Sequence, residues 1–277
     1  MNWTRGLVGV ALSALIAGPS LADGVWEDLR AEIYGDVVPV LAPQVVELES
    51  PYRTYDDPRT EIGARIVAPV GEFVTEVSLI IDENPMPVSA VFELAEPMRA
   101  FEFTGTMRIN GPTMVRVVAE TDRGKFYMQE AFVKTSGVGA CAAPPGTDPE
   151  IALQTLGTMN FKLLPELGET ILATLEKTPN QSDVTPYRRL AELEIDHPSH
   201  SGMQMDQITL LFIPSRFVDE VAVRADEKPL FKMRGSISLS ENPAIRFEVP
   251  EQAVGIGVTM TDTEGARFEE TFTLPGG

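Results

Sequence analysis

Met114-Val115-Arg116-Val117-Val118-Ala119-Glu120, Thr121-Asp122-Arg123-Gly124-Lys125 and Phe126-Tyr127-Met128-Gln129-Glu130-Ala131-Phe132-Val133-Lys134 read in turn as a strand, a turn and a strand. The flanking runs are rich in β-branched and aromatic residues, and the Asp/Gly centre has the chemistry of a tight reversal, so the stretch predicts a β-hairpin. Working upstream, the same signal recurs at residues 45–48, 62–68, 73–82, 88–94 and 101–109. Phe101-Glu102-Phe103-Thr104 alternates apolar and polar residues as a half-buried strand does. About seven short strands, punctuated by turn residues and with no helical period between them, predict an immunoglobulin-like β-sandwich.

A second strand series lies downstream, at residues 159–164, 190–195, 208–213, 220–224, 244–249, 254–261 and 267–274. Two landmarks of the first series recur in it. Asp82-Glu83-Asn84-Pro85 matches Asp226-Glu227-Lys228-Pro229, and Thr121-Asp122-Arg123-Gly124 resembles Thr261-Asp262-Thr263-Glu264-Gly265, the turn expected between the last two strands of each half. The chain is therefore expected to be all-β, with two related immunoglobulin-like sandwich domains packed on each other. Ahead of them, Trp26, Leu29, Arg30 and Ile33 have helical spacing, with Asp23 as the expected cap and Gly35 as the stop, which predicts a short N-terminal helix. Residues 150–156 suggest a helical turn, and residues 169–177 fit helix and strand equally.

Between the two series stands Gly137-Val138-Gly139-Ala140-Cys141-Ala142-Ala143-Pro144-Pro145-Gly146, which holds the one cysteine of the 277 residues. A lone cysteine is ordinarily a small core hydrophobe. Here its neighbours are too small to pack around it, and the prolines forbid helix and sheet alike, so the thiol of Cys141 is expected in solvent. Thiolate activation needs a nearby cation, a helix N-terminus or a paired base, and the closest basic residue in sequence is Lys134. The reading is a covalent attachment site on a flexible arm made by Gly137, Gly139, Ala140 and Ala142. Extended from Lys134, that arm reaches roughly 20–25 Å, enough to enter a partner's cleft.

Residues 1–22 read as a secretory signal: Arg5, an apolar run over residues 7–16 too short to span a bilayer, then Ser20-Leu21-Ala22 before the expected cut. No later segment is long and apolar enough to span a membrane, so an exported, periplasmic protein is expected. With one cysteine there is no internal disulfide, and stability must come from cores. Forty-one Asp and Glu against 22 Lys and Arg give a formal net charge of −19, which argues against nucleic acid and fits either solubility or encounter with basic partner surfaces.

The remaining constellations are weaker. His197 and His200 could face one metal, but a proline separates them and no third ligand is evident, so a strand-end turn is the expectation and no metal site is assigned. Asp56, Asp57 and Glu61 near Tyr52 and Tyr55 read as an acidic surface loop, and Met203 and Met205 as core or a partner face. No phosphate loop, serine elbow or Ser/His/acid triad is present in the sequence, so neither autonomous catalysis nor a cofactor is expected.

These residues together resemble the SoxYZ sulfur-carrier complex of bacterial thiosulfate oxidation, with both subunits on one chain. Trp26-Glu27-Asp28-Leu29, Asp82-Glu83-Asn84-Pro85-Met86-Pro87, residues 119–128 and the arm carry the likeness to SoxY; Asp196-His197-Pro198, Ser240-Glu241-Asn242-Pro243 and residues 261–265 carry the likeness to SoxZ. The expected division is a signal at 1–22, a SoxY-like sandwich at 23–141, a linker at 142–157 and a SoxZ-like sandwich at 158–277. The resemblance implies that Cys141 carries sulfur intermediates between separate enzymes. The arm departs from the family's chain-terminal Gly-Gly-Cys-Gly-Gly, because here the chain continues to Gly277. Single-chain proteins of this kind are similar to the SoxYZ-like carriers associated with quinoprotein dehydrogenases, which implies periplasmic sulfur-metabolism or quinoprotein dehydrogenase partners. From the residues alone, a non-covalent interaction module or chaperone for such a dehydrogenase, and a thiol-dependent redox enzyme, stay open.

Overall fold

A computed structural model describes residues 21–137, 139–142, 146–165 and 188–275. The chain runs α1 (Leu21–Tyr34), β1 (Val40–Leu41), β2 (Val46–Glu49), β3 (Thr60–Val67), β4 (Val74–Ile81), β5 (Val88–Met98), β6 (Ala100–Met107), β7 (Thr113–Thr121) and β8 (Phe126–Val133). It continues through α2 (Pro149–Gln154), β9 (Met159–Leu163), β10 (Arg188–Ile195), β11 (Val218–Ala225), β12 (Lys228–Gly235), β13 (Ala244–Pro250), β14 (Gly255–Asp262) and β15 (Arg267–Thr273). The expected signal at residues 1–20 and the ambiguous segment 169–177 lie outside the described residues. The all-β, immunoglobulin-like architecture with a short N-terminal helix is as the sequence predicts.

The way the halves join is not. They do not pack face to face; they merge edge to edge into two continuous sheets, ordered β1-β8-β7-β4-β5-β12-β11-β14-β15 and β2-β3-β6-β13-β10-β9. The seam is antiparallel in both, with Met233 opposite Phe92 and Phe247 opposite Phe103. Outward from it, β5-β4-β7-β8 corresponds to β12-β11-β14-β15, so the repeated turn motifs mark a real internal pseudo-symmetry. Strand β12 has no counterpart in the sequence reading, because Pro229 and the exposed Lys232 and Arg234 masked the inward pair Phe231 and Met233. Without that strand, the continuity of the sheets was invisible.

One apolar core runs through both halves. At the seam the ring of Phe92 lies 4.5 Å from that of Phe103 and 5.8 Å from that of Phe231, which lies 5.0 Å from Phe247. Full burial of each such ring contributes about 2–3 kcal/mol, so neither half is expected to hold its seam strand without the other. Helix α1 packs outside the core, setting Trp26 4.4 Å from the buried Arg116 guanidinium, which also pairs with Asp82 at 3.1 Å. Its described part runs from Leu21, so Asp23 lies inside the helix and is not the cap the sequence predicts.

The second departure is residues 208–213. They form no strand of either sheet; they belong to an outward hairpin in which Ile213 N donates to Gln204 O at 2.8 Å and Asp206 N to Leu211 O at 2.9 Å. The run is apolar but does not alternate. Leu210 has φ 58°, and the Asp206 carboxylate takes the amides of Ile208 and Thr209 at 3.0 and 2.6 Å, which fixes a tight reversal where a strand was expected.

Candidate functional site

The cysteine segment follows β8 and is fastened before it reaches Cys141. Asp57, in the 3-10 turn Asp57–Arg59 and 5% exposed, turns its carboxylate inward to accept Ser136 N at 3.1 and 2.9 Å and the Ser136 hydroxyl as well. Gly137 and Gly139 follow with φ of 86° and 85°, left-handed values that a side chain would strain. The chain then closes the 3-10 turn Ala140–Ala142.

This turn is docked, and the exposure expected of the thiol is corrected: Cys141 is 0% exposed and Ala140 2%. The small neighbours that suggested a free loop are what allow its backbone to nest against both halves of the molecule. Cys141 N donates to Asn110 Oδ1 at 3.2 Å, and its carbonyl accepts the hydroxyl of Ser201 from the second half. Beyond the turn, the Glu241 carboxylate accepts Gly146 N at 2.7 Å and Thr147 N at 2.8 Å. Three described parts of this stretch are thus fastened: Ser136 by Asp57, the turn Ala140–Ala142 by Asn110 and Ser201, and Gly146 and Thr147 by Glu241.

A second layer holds these partners. Asn84 Nδ2 donates to Arg108 O at 2.7 Å and to Ser238 Oγ at 2.9 Å, while its Oδ1 accepts Asn110 N at 2.9 Å. Across the seam, Asn242 Oδ1 accepts His197 N at 3.0 Å, and Arg59 donates to the carbonyls of Glu241 and Asn242 at 3.0 and 2.8 Å. The two Asn-Pro motifs of the sequence are therefore the two braces of the cysteine site. Sequence reading singled out those motifs but not their bonds. Arg108, Asn110 and Ser201 carried no signal of their own, since each acts through contacts far away in the chain, while Asp57 was read only as part of an acidic surface loop and Glu241 only as part of a motif.

The electrostatics keep the docked thiol quiet. Burial pushes the Cys141 pKa up, against the pull of the Arg108 charge, so the sulfur stays protonated at neutral pH. Arg108 is itself 2% exposed and donates from Nη1 to the carbonyls of Ile237, at 3.2 Å, and Leu239. Among the described residues no carboxylate forms an ion pair with it, and burial lowers its pKa while Cys141 and Glu241 oppose that shift.

The two histidines stand apart in role. His197 Nδ1 accepts Ser199 N at 2.9 Å, which leaves the proton on Nε2, 3.5 Å from Asp262 Oδ2. Burial drives its pKa down to about 4 despite Asp262. His200 Nδ1 lies 3.1 Å from Gln204 Oε1, and burial lowers its pKa too. Among the described residues no three of His, Cys, Asp and Glu gather as a metal ion would require. Of the acidic cluster, Asp57 is buried while Asp56 and Glu61 are exposed; Met203 is half-buried and Met205 exposed.

Two family models match separate parts of the chain. Residues 30–141 match the family described as sulfur oxidation protein SoxY, and residues 181–273 match that described as sulphur oxidation protein SoxZ. Among solved structures, the sulfur carrier protein SoxY from Chlorobium limicola f thiosulfatophilum is 18% identical, covering 41% of this chain and 98% of its own, with a TM-score of 0.33. A superoxide reductase (neelaredoxin) from Ignicoccus hospitalis is 10% identical over 33% of this chain and 80% of its own, with a TM-score of 0.27. A Parabacteroides merdae β-glucuronidase is 10% identical over 87% of this chain and 25% of its own, with a TM-score of 0.22. No curated protein matches the chain.

Proposed function

Because the chain belongs to the SoxY and SoxZ sulfur-oxidation families, carrying both regions in one polypeptide, we propose that it is a periplasmic carrier that holds a sulfur-containing group covalently on Cys141 and passes it between partner enzymes. The observation that carries this reading is the position of Cys141 at the last residue of the SoxY region, in a segment held mainly by hydrogen bonds and flanked by Gly137 and Gly139. Such bonds contribute about 1 kcal/mol each, so docking is reversible in a way that a packed core strand is not. Released, the segment offers a thiol on a tether of roughly 20–25 Å from Lys134, with Gly137 and Gly139 as its joints and Ala140 and Ala142 adding little bulk.

Attachment of a sulfur anion to this thiol as a disulfide-type bond removes the thiol proton and two electrons. The partner enzyme takes both, and a quinoprotein dehydrogenase system is the class of periplasmic oxidant we associate with it. The chain itself supplies tether and shelter, and we assign it no autonomous catalysis. Residues 1–22 direct export and are then removed. The two halves act as one body, 23–141 bearing the cysteine and 158–277 bracing it, with 142–157 between them.

Intact-mass analysis of protein from its native host tests the reading. A reductant-labile adduct on Cys141, absent in Cys141→Ser, is expected; native protein that carries none under any growth condition overturns it. The burial of the thiol favours one second reading, a non-covalent interaction module for a periplasmic dehydrogenase, in which Cys141 is a docked core residue. A Cys141→Ser strain that grows normally on the dehydrogenase substrate selects it.

A further inference from the structure

The hairpin at residues 204–213 exposes Ile208 by 91%, Leu210 by 69%, Leu211 by 68% and Phe212 by 66%. Four large apolar side chains on one protruding tip form a patch of the kind that marks an interaction surface on a soluble protein. The one charged side chain of residues 203–213 is Asp206, whose carboxylate is turned to the amides of Ile208 and Thr209 and to the Thr209 hydroxyl at 2.9 Å and is held ionised by them. At the other end the hairpin is rooted in the wall of the cysteine site. Gln204, 2% exposed, accepts Ser201 N at 3.3 Å and contacts His200, and the Ser201 hydroxyl holds the Cys141 carbonyl.

We propose that this hairpin is the docking surface for the enzyme that acts on Cys141, seated in an apolar socket beside the mouth of that enzyme's cleft. The proposal rests on the carrier reading. Its geometry is favourable: a reversal of four or five residues a side projects about 13–16 Å, less than the reach of the released segment, so a cleft whose mouth rests on the tip lies within range of the thiol. The chemistry selects the occupant. A second copy of this chain would bring two bodies of net charge −19 together, and a lipid surface is disfavoured because residues 203–213 contain no Lys or Arg to meet anionic headgroups. An enzyme with an apolar socket in a basic rim meets neither objection.

Photo-crosslinking of the full chain in its native host tests this, with Leu211→p-benzoylphenylalanine in one strain and Ala142→p-benzoylphenylalanine in another. Both positions are expected to capture the same host enzyme. Adding Leu211→Ser with Phe212→Ser to the Ala142 strain is expected to cut its capture about tenfold or more, as loss of two central apolar contacts does. Capture by position 211 of lipid, of a second copy, of a protein never reached from position 142, or of nothing overturns the proposal, as does an unchanged yield at 142 in the double-serine background. Intact mass of Cys141 is read in parallel, so an absent adduct beside shared capture removes the carrier reading and leaves the docking surface standing.

Discussion

Residues 136–147 and residues 204–213 hold each other's expected places. In the first, the small and proline-rich run reads as a loop in solvent, and its described turn Ala140–Ala142 is found docked with Cys141 fully buried; in the second, residues 208–213 read as a strand and are found projecting outward. They share one wall, because Ser201 binds the Cys141 carbonyl while Gln204 roots the hairpin. The difference teaches that composition ranks how much apolar surface a segment has, whereas backbone partners decide which segment the fold takes in. A stretch of Gly and Ala is easily nested because nothing obstructs its amides. A hydrophobic run without alternation, interrupted by a left-handed residue, has no sheet edge to join.

The largest effect that would break this contrast is protection of the thiol. A net of about 3 kcal/mol from the hydrogen bonds that hold the docked segment corresponds to about 100-fold protection. Alkylation of Cys141 by a bulky maleimide should therefore be about 100-fold slower in the native protein than in the urea-unfolded chain at the same pH. Equal rates would mean that the segment is free in solution and that the two regions do not differ as the structure has them.

Weakening the fastenings one at a time sharpens the comparison. Asp57→Asn and Glu241→Gln keep side-chain shape and remove a charge-assisted bond, which is stronger than its neutral counterpart, so each should speed native alkylation about tenfold. Ser201→Ala, which removes one neutral bond, should give a rise of about three- to fivefold. If none of the three moves the rate, burial of Ala140 and Cys141 rather than the fastenings keeps the segment down.

The pH response is smaller and has a definite sign. Burial raises the Cys141 pKa above its ordinary value of 9.0. Above that value the released thiol has lost its proton while the docked one keeps it, so the docked form binds more protons and docking weakens as pH rises. Docking is at full strength below the ordinary thiol pKa and is lost as pH climbs through the raised one. The ratio of native to unfolded alkylation rates should accordingly be flat from pH 7 to 8.5 and climb a few-fold towards pH 10; a ratio that falls over that range would contradict the burial.

The fold was legible where sequence carries local chemistry. Thr121-Asp122-Arg123-Gly124 closes the β7–β8 turn with Gly124 N donating to Thr121 O at 2.8 Å, and Gly265 N donates to Asp262 O at 2.9 Å in the matching turn of the second half. The seam was not legible, because pairing of β5 with β12 joins Phe92 to Met233 through contacts that no local pattern announces. At the site, Cys141 stood out by being alone, and Asn84 and Asn242 lay inside recognisable motifs. The burial of the thiol was missed because it depends on Asn110, Ser201 and Glu241, which approach from separate loops.

The smallest expected effect is the sharpest test of the hairpin. In a strand of the core, Phe→Ala costs about 3–5 kcal/mol through lost transfer energy and the cavity left behind. Phe212 is 66% exposed and its backbone bridge to Met205 needs no side chain, so Phe212→Ser should change the free energy of unfolding by no more than about 0.5 kcal/mol. Leu211→Ser should be equally quiet, and a urea midpoint within error of the parent is the expected reading for both. A loss near the core value would mean that residues 208–213 are packed in solution, as their composition first suggested. The exposed patch and the docking role argued from it would then fall together, while the buried cysteine would be untouched.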